Sequence, residues 1–491
     1  METSPVNVCL GAGIIFISVL VLLWHRQGSM RRRRGPRVWP IVGMLPSVLL
    51  HLNDIYDWAT KMVAECDGTL RFRPPWMTNM FSVVTTDPKN IEYILKTKFG
   101  NYPKGAYYKS IFDDLLGDGI LNIDGPEWER ARKSMSSVLH SPSFKTHIMR
   151  TLERSINGTL VPLLAEASRS ASPIQLEHIL LRFSFHNMCV LGFGVDLGFS
   201  EIGRLELAIK QALDATVLRF IAPSGVWKSM RFLGMGFEGK LKASMKTINA
   251  FTGRVIAERR KELSSDGRGR HDMLSMIMAS QSQIDDRALR DMTLNFVLAG
   301  RDTTSLALCW FFSLLHKHPH VEDRIVSEIR RIVEVGSDLS VEEVKEMHYL
   351  RAALSETLRL YPSLPINWKE AMQDDVLPDG TRLKAGSSLI FPIYSMGRME
   401  SIWGRDCLEF KPERWMTEQA GGYKYPVFNA GPRTCLGKDF AILQMKWVAA
   451  SILHRYRLVF LNDGDGIAHP KLGISLGFNN ALPLILHPRS Q

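Results

Sequence analysis

Cysteine is scarce and dispersed in this chain: Cys9, Cys66, Cys189, Cys309, Cys407 and Cys435 are widely separated, and no two form a CxxC pair. That dispersal excludes a disulfide framework and a site of closely spaced thiolates for zinc, and it suits a reducing compartment. Also lacking are a flavin or nicotinamide fingerprint, an internal repeat, a low-complexity tract and any linker after about His51. The remainder is therefore read as one large unit without an electron donor of its own. Acidic charge is in deficit, with 50 Asp and Glu against 61 Lys and Arg. The excess is concentrated in Arg26, Arg31, Arg32, Arg33, Arg34 and Arg37, with no acid among them. No stacking or groove-reading motif accompanies it, which argues against nucleic acid as a partner. Apolar residues make up 45% and charged residues 23%, a balance that leaves no case for extensive disorder.

A long hydrophobic run occurs at Val8 to Trp24, uncharged and at the short end of what spans a bilayer. A cleaved signal peptide would place basic residues before such a run; here only Glu2 precedes it and the arginines follow. The expectation is a retained single-pass anchor in the endoplasmic reticulum, with residues 25 onward in the cytosol. Gly35 to Gly43 contains Pro36 and Pro40 and is predicted to be a stiff, extended connector. The chain thus divides into an anchor at 1–30, a basic and Pro-rich connector at 31–50, and a catalytic domain at 51–491.

Apolar residues at helical spacing predict helices at Leu205–Leu218, Leu241–Arg260, Arg287–His316, Val321–Val335 and Val341–Leu360. Strands are expected at Phe81–Thr85 and Ser388–Tyr394, with a C-terminal pair near Ile474–Leu476 and Leu482–Leu486. Asp379-Gly380 and Asn479-Asn480 have the composition of hairpin turns. The fold class is mainly α with a minor β component.

The stretch Phe428-Asn-Ala-Gly-Pro-Arg-Thr-Cys-Leu-Gly437 is the most informative. Read blandly, Cys435 is a core cysteine in a turn. Read chemically, Gly431, Pro432 and Gly437 let the backbone wrap a thiolate and aim amide groups at it. Arg433 can reach an anionic cofactor edge, Phe428 can shield the sulfur, and a helix from Lys438 would favour its negative charge. Glu356 and Arg359 share one helix face, as do Trp128 and Arg132. Ala299-Gly-Arg-Asp-Thr-Thr304 interrupts an otherwise apolar helix with residues that form helices poorly.

Together these segments resemble the cytochrome P-450 superfamily, in family order over residues 35–491. The resemblance implies a triangular helical prism around a buried haem, with Cys435 as the axial iron ligand. It implies that Arg433, Trp128 and Arg132 reach the haem propionates, and that Phe428, Gly431 and Gly437 shape the thiolate loop. Ala299 and Gly300 would line the dioxygen site, Gly300 leaving it room, and Thr303 and Asp302 would relay protons. Glu356, Arg359 and Arg414 would form a buried structural network. Implied partners are haem, an NADPH-cytochrome P-450 reductase and membrane lipids, and the enzyme is expected to be monomeric. Stretches such as Gly35–Gly43, Asp87–Tyr102 and Asp374–Gly380 are similar to the plant fatty-acid hydroxylase branch, which implies a long-chain fatty-acyl substrate attacked at the terminal carbon. Phe296, Val297, Leu364, Ile366 and Phe478 are candidate walls of its pocket. The rival readings are an in-chain fatty-acid or alkane hydroxylase, a hydroperoxide-rearranging relative, and a non-catalytic membrane haem or lipid binder.

Overall fold

The computed structural model describes residues 35–36, 38–39, 42–73, 82–197, 199–266, 270–281, 283–334, 338–417, 420–461, 469–479 and 483–489. The expected anchor at 8–24 and the arginines from 26 to 37 lie outside them. Among the described residues, no helix is long and apolar enough to cross a membrane.

Along the chain, α1 (Leu45–Leu50) and α2 (Ile55–Glu65) lead into β1 (Thr69–Phe72) and β2 (Ser82–Thr85). Six helices follow that matter below: α3 (Gly105–Leu116), α4 (Gly125–Leu139), α5 (Leu176–Phe193), α6 (Phe199–Ile221), α7 (Ser224–Leu233) and α8 (Gly236–Asp266). Then come α9 (Asp286–Lys317), α10 (His348–Leu360), β3 (Ile366–Glu370), β4 (Ser388–Pro392), α11 (Lys438–Arg455), β5 (Tyr456–Phe460) and β6 (Pro483–Pro488).

The fold is organised on α9. Asp285 caps it, its side chain accepting the Ala288 amide at 2.7 Å. Asp286 in the first turn and His316 and Lys317 in the last suit the helix dipole. Its apolar residues from Leu289 to Leu315 are buried except Leu298 and Ala299, which line a cavity, because α5, α10 and α11 pack on it from different sides. Ser305 donates to the Leu180 carbonyl of α5 at 2.9 Å, a buried link between the two helices. One sheet has the order β1-β2-β4-β3, with β2 and β4 parallel and the other pairs antiparallel. The second is antiparallel, with β6 between β5 and the short Ile174–Gln175 strand.

Several expectations need correction. The helix expected over Val341–Leu360 is two, Val341–Glu346 and α10, broken at Met347. The reason is Glu328, whose buried carboxylate accepts the amides of Tyr349 and Leu350 at 2.8 and 2.9 Å and caps α10 from another helix. The strand expected to Tyr394 stops at Pro392 and turns into a helical turn, Ile393–Met396. The expected C-terminal pair does not form: β6 pairs with β5, while Gly477–Phe478 pairs with Pro470–Lys471. Trp39 and Gly43 exchange backbone hydrogen bonds at 2.7 and 3.0 Å, so the connector folds back there instead of running extended. The turn at Asp379-Gly380 forms as expected, Gly380 donating to Leu377 at 2.8 Å with φ +84°.

Candidate functional site

The chain folds back sharply before α11. Cys435 donates its amide to the Phe428 carbonyl at 2.8 Å, closing a loop over eight residues. Asn429 adopts φ +58°, and its side chain accepts the Ala430 amide at 2.8 Å, which offsets the strain. Gly431 has φ +65°, and a Cβ there would lie 2.1 Å from the Leu95 carbonyl, so a side chain is excluded. Thr434 ties the turn with a bond to the Gly431 carbonyl at 2.7 Å. The loop presents the Cys435 thiol to a cavity, just ahead of the first turn of α11. Burial pushes that thiol up, opposed by the Gly437 amide and by Arg132. Protein surrounds the sulfur, yet the side chain is open to the cavity itself. A stable thiolate here calls for a further positive partner at the sulfur, which is what a metal supplies.

The cavity has a volume of about 1080 Å³. That exceeds the roughly 1,000 Å³ upper end for one drug-sized ligand, so a macrocycle and a second molecule can share it. Trp128 and Arg132 of α4 line it, as do Ala299, Gly300 and Thr303 of α9 and Phe428, Arg433 and Gly437 of the loop. Its outer part is bounded by Leu45 and Val48 of α1, Trp58 of α2 and Trp227 of α7.

Positive charge accumulates on one side. Arg433 is buried, bonded to the Ile123 carbonyl at 2.9 Å and to Asp124 at 2.5 Å, and it lies over Trp128 at 4.3 Å. Its Nε has no partner. Arg132 donates to the Thr434 carbonyl at 2.8 Å. Two lysines that sequence reasoning missed join them. Lys104 bonds to the Leu121 carbonyl, and burial with the charge of Arg433 holds its ammonium well down. Lys369 of β3 is 1% exposed, its Nζ is without a partner, and burial beside Arg433 lowers it to about 7. Against these four cations stands Asp124. Buried cations left unpaired are costly, so the set fits a bound dianion such as the two carboxylates of a porphyrin.

The polar interruption of α9 faces this space. Thr303 donates to its own helix at Ala299, 2.8 Å away, and its carbonyl accepts from Ser363 at 2.7 Å. Asp302 turns to Arg301 at 3.0 Å, and Arg301 reaches Glu206 of α6 at 3.4 Å. Burial raises the Asp302 carboxyl, with Arg301 opposing. The expected relay pair is thus adjacent without being hydrogen-bonded to each other. Gly300 has a packing reason besides room for dioxygen: a Cβ there would meet Met188 Sδ of α5 at 2.4 Å.

Behind the loop, Arg359 grips Glu356 twice, at 2.7 and 2.8 Å, with both side chains fully buried. Arg414 joins at 3.5 Å, and Trp415, which sequence reasoning passed over, donates to Glu356 at 2.8 Å. Arg359 also holds the carbonyls of Gly397, Cys407 and Glu409. Of the candidate pocket walls, Phe296, Leu364 and Ile366 line the cavity. Val297 and Phe478 do not: Val297 packs on Gly192, and Phe478 stacks on Trp310 at 4.2 Å.

Comparison with known proteins agrees with this geometry. The family model for cytochrome P450 matches residues 34–480. Cytochrome P450 86B1 of Arabidopsis thaliana is 42% identical over 503 residues, covering 97% of this chain and 90% of the relative. Alkane hydroxylase MAH1 of Arabidopsis thaliana is 38% identical over 469 residues, covering 91% and 93%. Noroxomaritidine synthase 1 of Narcissus pseudonarcissus is 35% identical over 467 residues, covering 91% and 90%. Those names attach to different substrates, so likeness of this degree decides family before substrate. With a cysteine loop, a cation cluster and a polar break in α9 around one cavity, and a family match over nearly its whole length, the chain belongs to the cytochrome P450 family.

Proposed function

We propose that this haem monooxygenase hydroxylates long-chain fatty acids at the terminal carbon, in the context of cutin, suberin or wax-type lipid synthesis. The observation that carries the reading is the cavity, whose lining is overwhelmingly aliphatic and aromatic beyond the cation cluster and α9. Such a channel suits a flexible apolar chain, whose terminal C–H bonds are the hardest to attack, so geometry has to impose the outcome.

The haem, when bound, supplies activated oxygen with electrons from a redox partner, taken here as an NADPH-cytochrome P-450 reductase on the same membrane. This chain's residues do the rest. Cys435 would hold the haem iron through its sulfur, with the Gly437 amide directed at that sulfur and Phe428 in the same loop. Arg433, Arg132, Trp128 and Lys104 would hold its propionates, with Lys369 buried beside Arg433 adding positive charge. Asp302, whose raised carboxyl keeps its proton to higher pH than a free aspartate, hands protons to Thr303 and is resupplied past Arg301 and Glu206. For that transfer Asp302 swings from Arg301 towards the cavity. Ala299 and Gly300 leave a smooth wall beside Thr303. Glu356, Arg359 and Arg414 keep the loop's supporting scaffold rigid.

The protein is taken to be a monomer anchored by residues 8–24 in the endoplasmic reticulum, its catalytic domain facing the cytosol. Exposed apolar side chains on two helices that border the cavity favour lipid contact: Leu50 of α1 is 83% exposed and Phe232 of α7 is 90% exposed. Extraction of membranes with alkaline carbonate should leave the protein in the pellet, and external protease should digest the catalytic domain of sealed microsomes.

The relative named for alkanes favours a second reading, in which the substrate is a hydrocarbon or is attacked in-chain. One experiment separates them: membranes with purified reductase, NADPH and a panel of fatty acids, alkanes and acyl esters, the new oxygen located by mass spectrometry. Oxygen on the terminal carbon of an acid supports the first reading. Oxidation of alkanes alone supports the second, and oxidation of no acyl or alkyl chain overturns both.

A further inference from the structure

The charged residues that line the cavity are five: Lys104, Arg132, Lys228, Asp302 and Arg433. Four already have work. Arg132 and Arg433 are bonded to loop carbonyls or Asp124, Lys104 is bonded to the Leu121 carbonyl, and Asp302 is ion-paired with Arg301. Lys228 is different. It sits on α7 with only the Trp227 ring beside it, 5.7 Å away, and no carboxylate partner among the described residues.

Helix α7 is held firmly. Arg219, at the end of α6, is buried and bonded to Glu238 of α8 at 2.6 and 2.7 Å and to Asp114 of α3 at 2.7 Å. It also lies over the Trp227 ring at 4.7 Å. Asp114 in turn takes Arg231 of α7 at 3.0 Å. So Arg231 is neutralised while Lys228, on the same helix, is not. Ser224, Trp227 and Lys228 stand at i, i+3 and i+4, one face of α7, and all three line the cavity. Around them the lining is apolar: Val217, Phe220, Ile221 and Pro223. Lys228 is exposed, so it marks the rim.

From this we infer that Lys228 is the anchor for the substrate's carboxylate, with the Ser224 hydroxyl beside it as a second donor. The inference rests on the acyl-hydroxylase reading above and deepens it. A free acid is held by its head at the rim, and its methyl end is the part that reaches inward towards Thr303 and Cys435. An ester or an alkane has no charge to place there. Attack at the terminal carbon then follows from where the head is fixed, and the preferred chain length from the reach between rim and reaction centre.

The test uses the haem-loaded enzyme with its reductase, saturated free acids of graded length, and the methyl ester and n-alkane matching each. Binding is read from the substrate-induced shift of the haem absorption band, and the oxygen position by mass spectrometry. Wild type should bind the acid about tenfold more tightly than its methyl ester, an advantage of the size expected for a charge-assisted hydrogen bond and one that shrinks with added salt. Lys228→Gln should remove that advantage by weakening the acid, and should spread oxygen to in-chain carbons. Lys228→Arg should keep the preference, and Lys228→Glu should reverse it in favour of the ester. If Lys228→Gln binds acid as wild type does, or if wild type does not distinguish acid from ester, the anchor is wrong although the hydroxylase reading stands. If wild type binds and oxidises no acyl chain, the hydroxylase reading itself has failed and the anchor with it. The variants change an exposed side chain, and an undiminished carbon-monoxide spectrum of the reduced protein verifies that each has folded with haem.

Discussion

Beneath the cavity, Glu356 and Arg359 are fully buried and Arg433 nearly so, each gripped by several partners. Elsewhere, Phe232 of α7 is 90% and Leu50 of α1 83% exposed, and the cavity walls Leu364 and Ile366 are close to half exposed. The floor is a place where charges are removed from water and held by several partners, with Arg433 Nε and Lys369 Nζ left open. The walls and outer helices are places where apolar side chains meet ligand, solvent or lipid without polar bonds of their own. A rigid, over-determined floor suits a reaction common to a whole family, because the cofactor has to be held in one geometry. Exposed apolar side chains suit variation in substrate, because swaps among them cost little stability.

Changes in the floor should be all-or-none. Cys435→Ala should abolish the carbon-monoxide band of a thiolate haem while the protein keeps its helical circular dichroism; a surviving band would remove the floor from the comparison altogether. Glu356→Gln strands the Arg359 guanidinium in the core, and loss of a buried partner costs about 3–5 kcal/mol. Thermal unfolding should show a large drop, with little haem incorporated.

The next effect is on the proton path. Thr303→Ala should keep haem and go on accepting electrons from the reductase, yet divert most of those electrons to hydrogen peroxide, with product formation down on the order of 10²-fold. Product and peroxide yields per NADPH measure it, and full coupling would refute the assignment of Thr303.

Lys369 provides a pH test. In the haem-free protein its ammonium is lost above about 7. A propionate favours the protonated form, so haem capture has to draw a proton back, and affinity should fall as pH rises from about 7 towards the ordinary lysine value of roughly 10.4. Lys369→Met should flatten that limb and release haem about tenfold faster near neutrality. Transfer of haem to an apo-acceptor protein across this pH range checks the slope.

The smallest effect belongs to the apolar walls. Leu364→Ala and Ile366→Ala should leave folding and the haem spectrum intact and shift the distribution of hydroxylated carbons by about 1–3 kcal/mol of discrimination. Equal losses of haem in these variants would erase the distinction between floor and walls.

Much of the floor was legible in the sequence because its parts are close along the chain. Phe428 to Gly437 is one loop, Glu356 and Arg359 are one helical turn apart, and Thr303 and Asp302 are neighbours. Lys104, Asp124 and Lys369 were not legible, since they converge from three separate segments and none carries a local pattern. Trp415 lay beside a recognised arginine, and only the fold turned its indole to Glu356. Val297 and Phe478 were expected among the pocket walls; both are buried, but against other side chains, because which neighbour a buried residue meets is decided by packing between distant elements. The break at Met347 escaped notice because the carboxylate that causes it belongs to another helix.

The sequence by itself determined the helical class, the thiol at Cys435, the turn that only glycine at 431 permits, and the ion pair within α10. These depend on spacings of a few residues, where backbone geometry leaves little choice. Only the tertiary structure decided that four cations face one carboxylate, that Asp302 turns to Arg301, and that Lys228 stands unpaired at the rim. A charge buried or exposed is set by the sum of everything packed around it, and that sum runs across elements hundreds of residues apart.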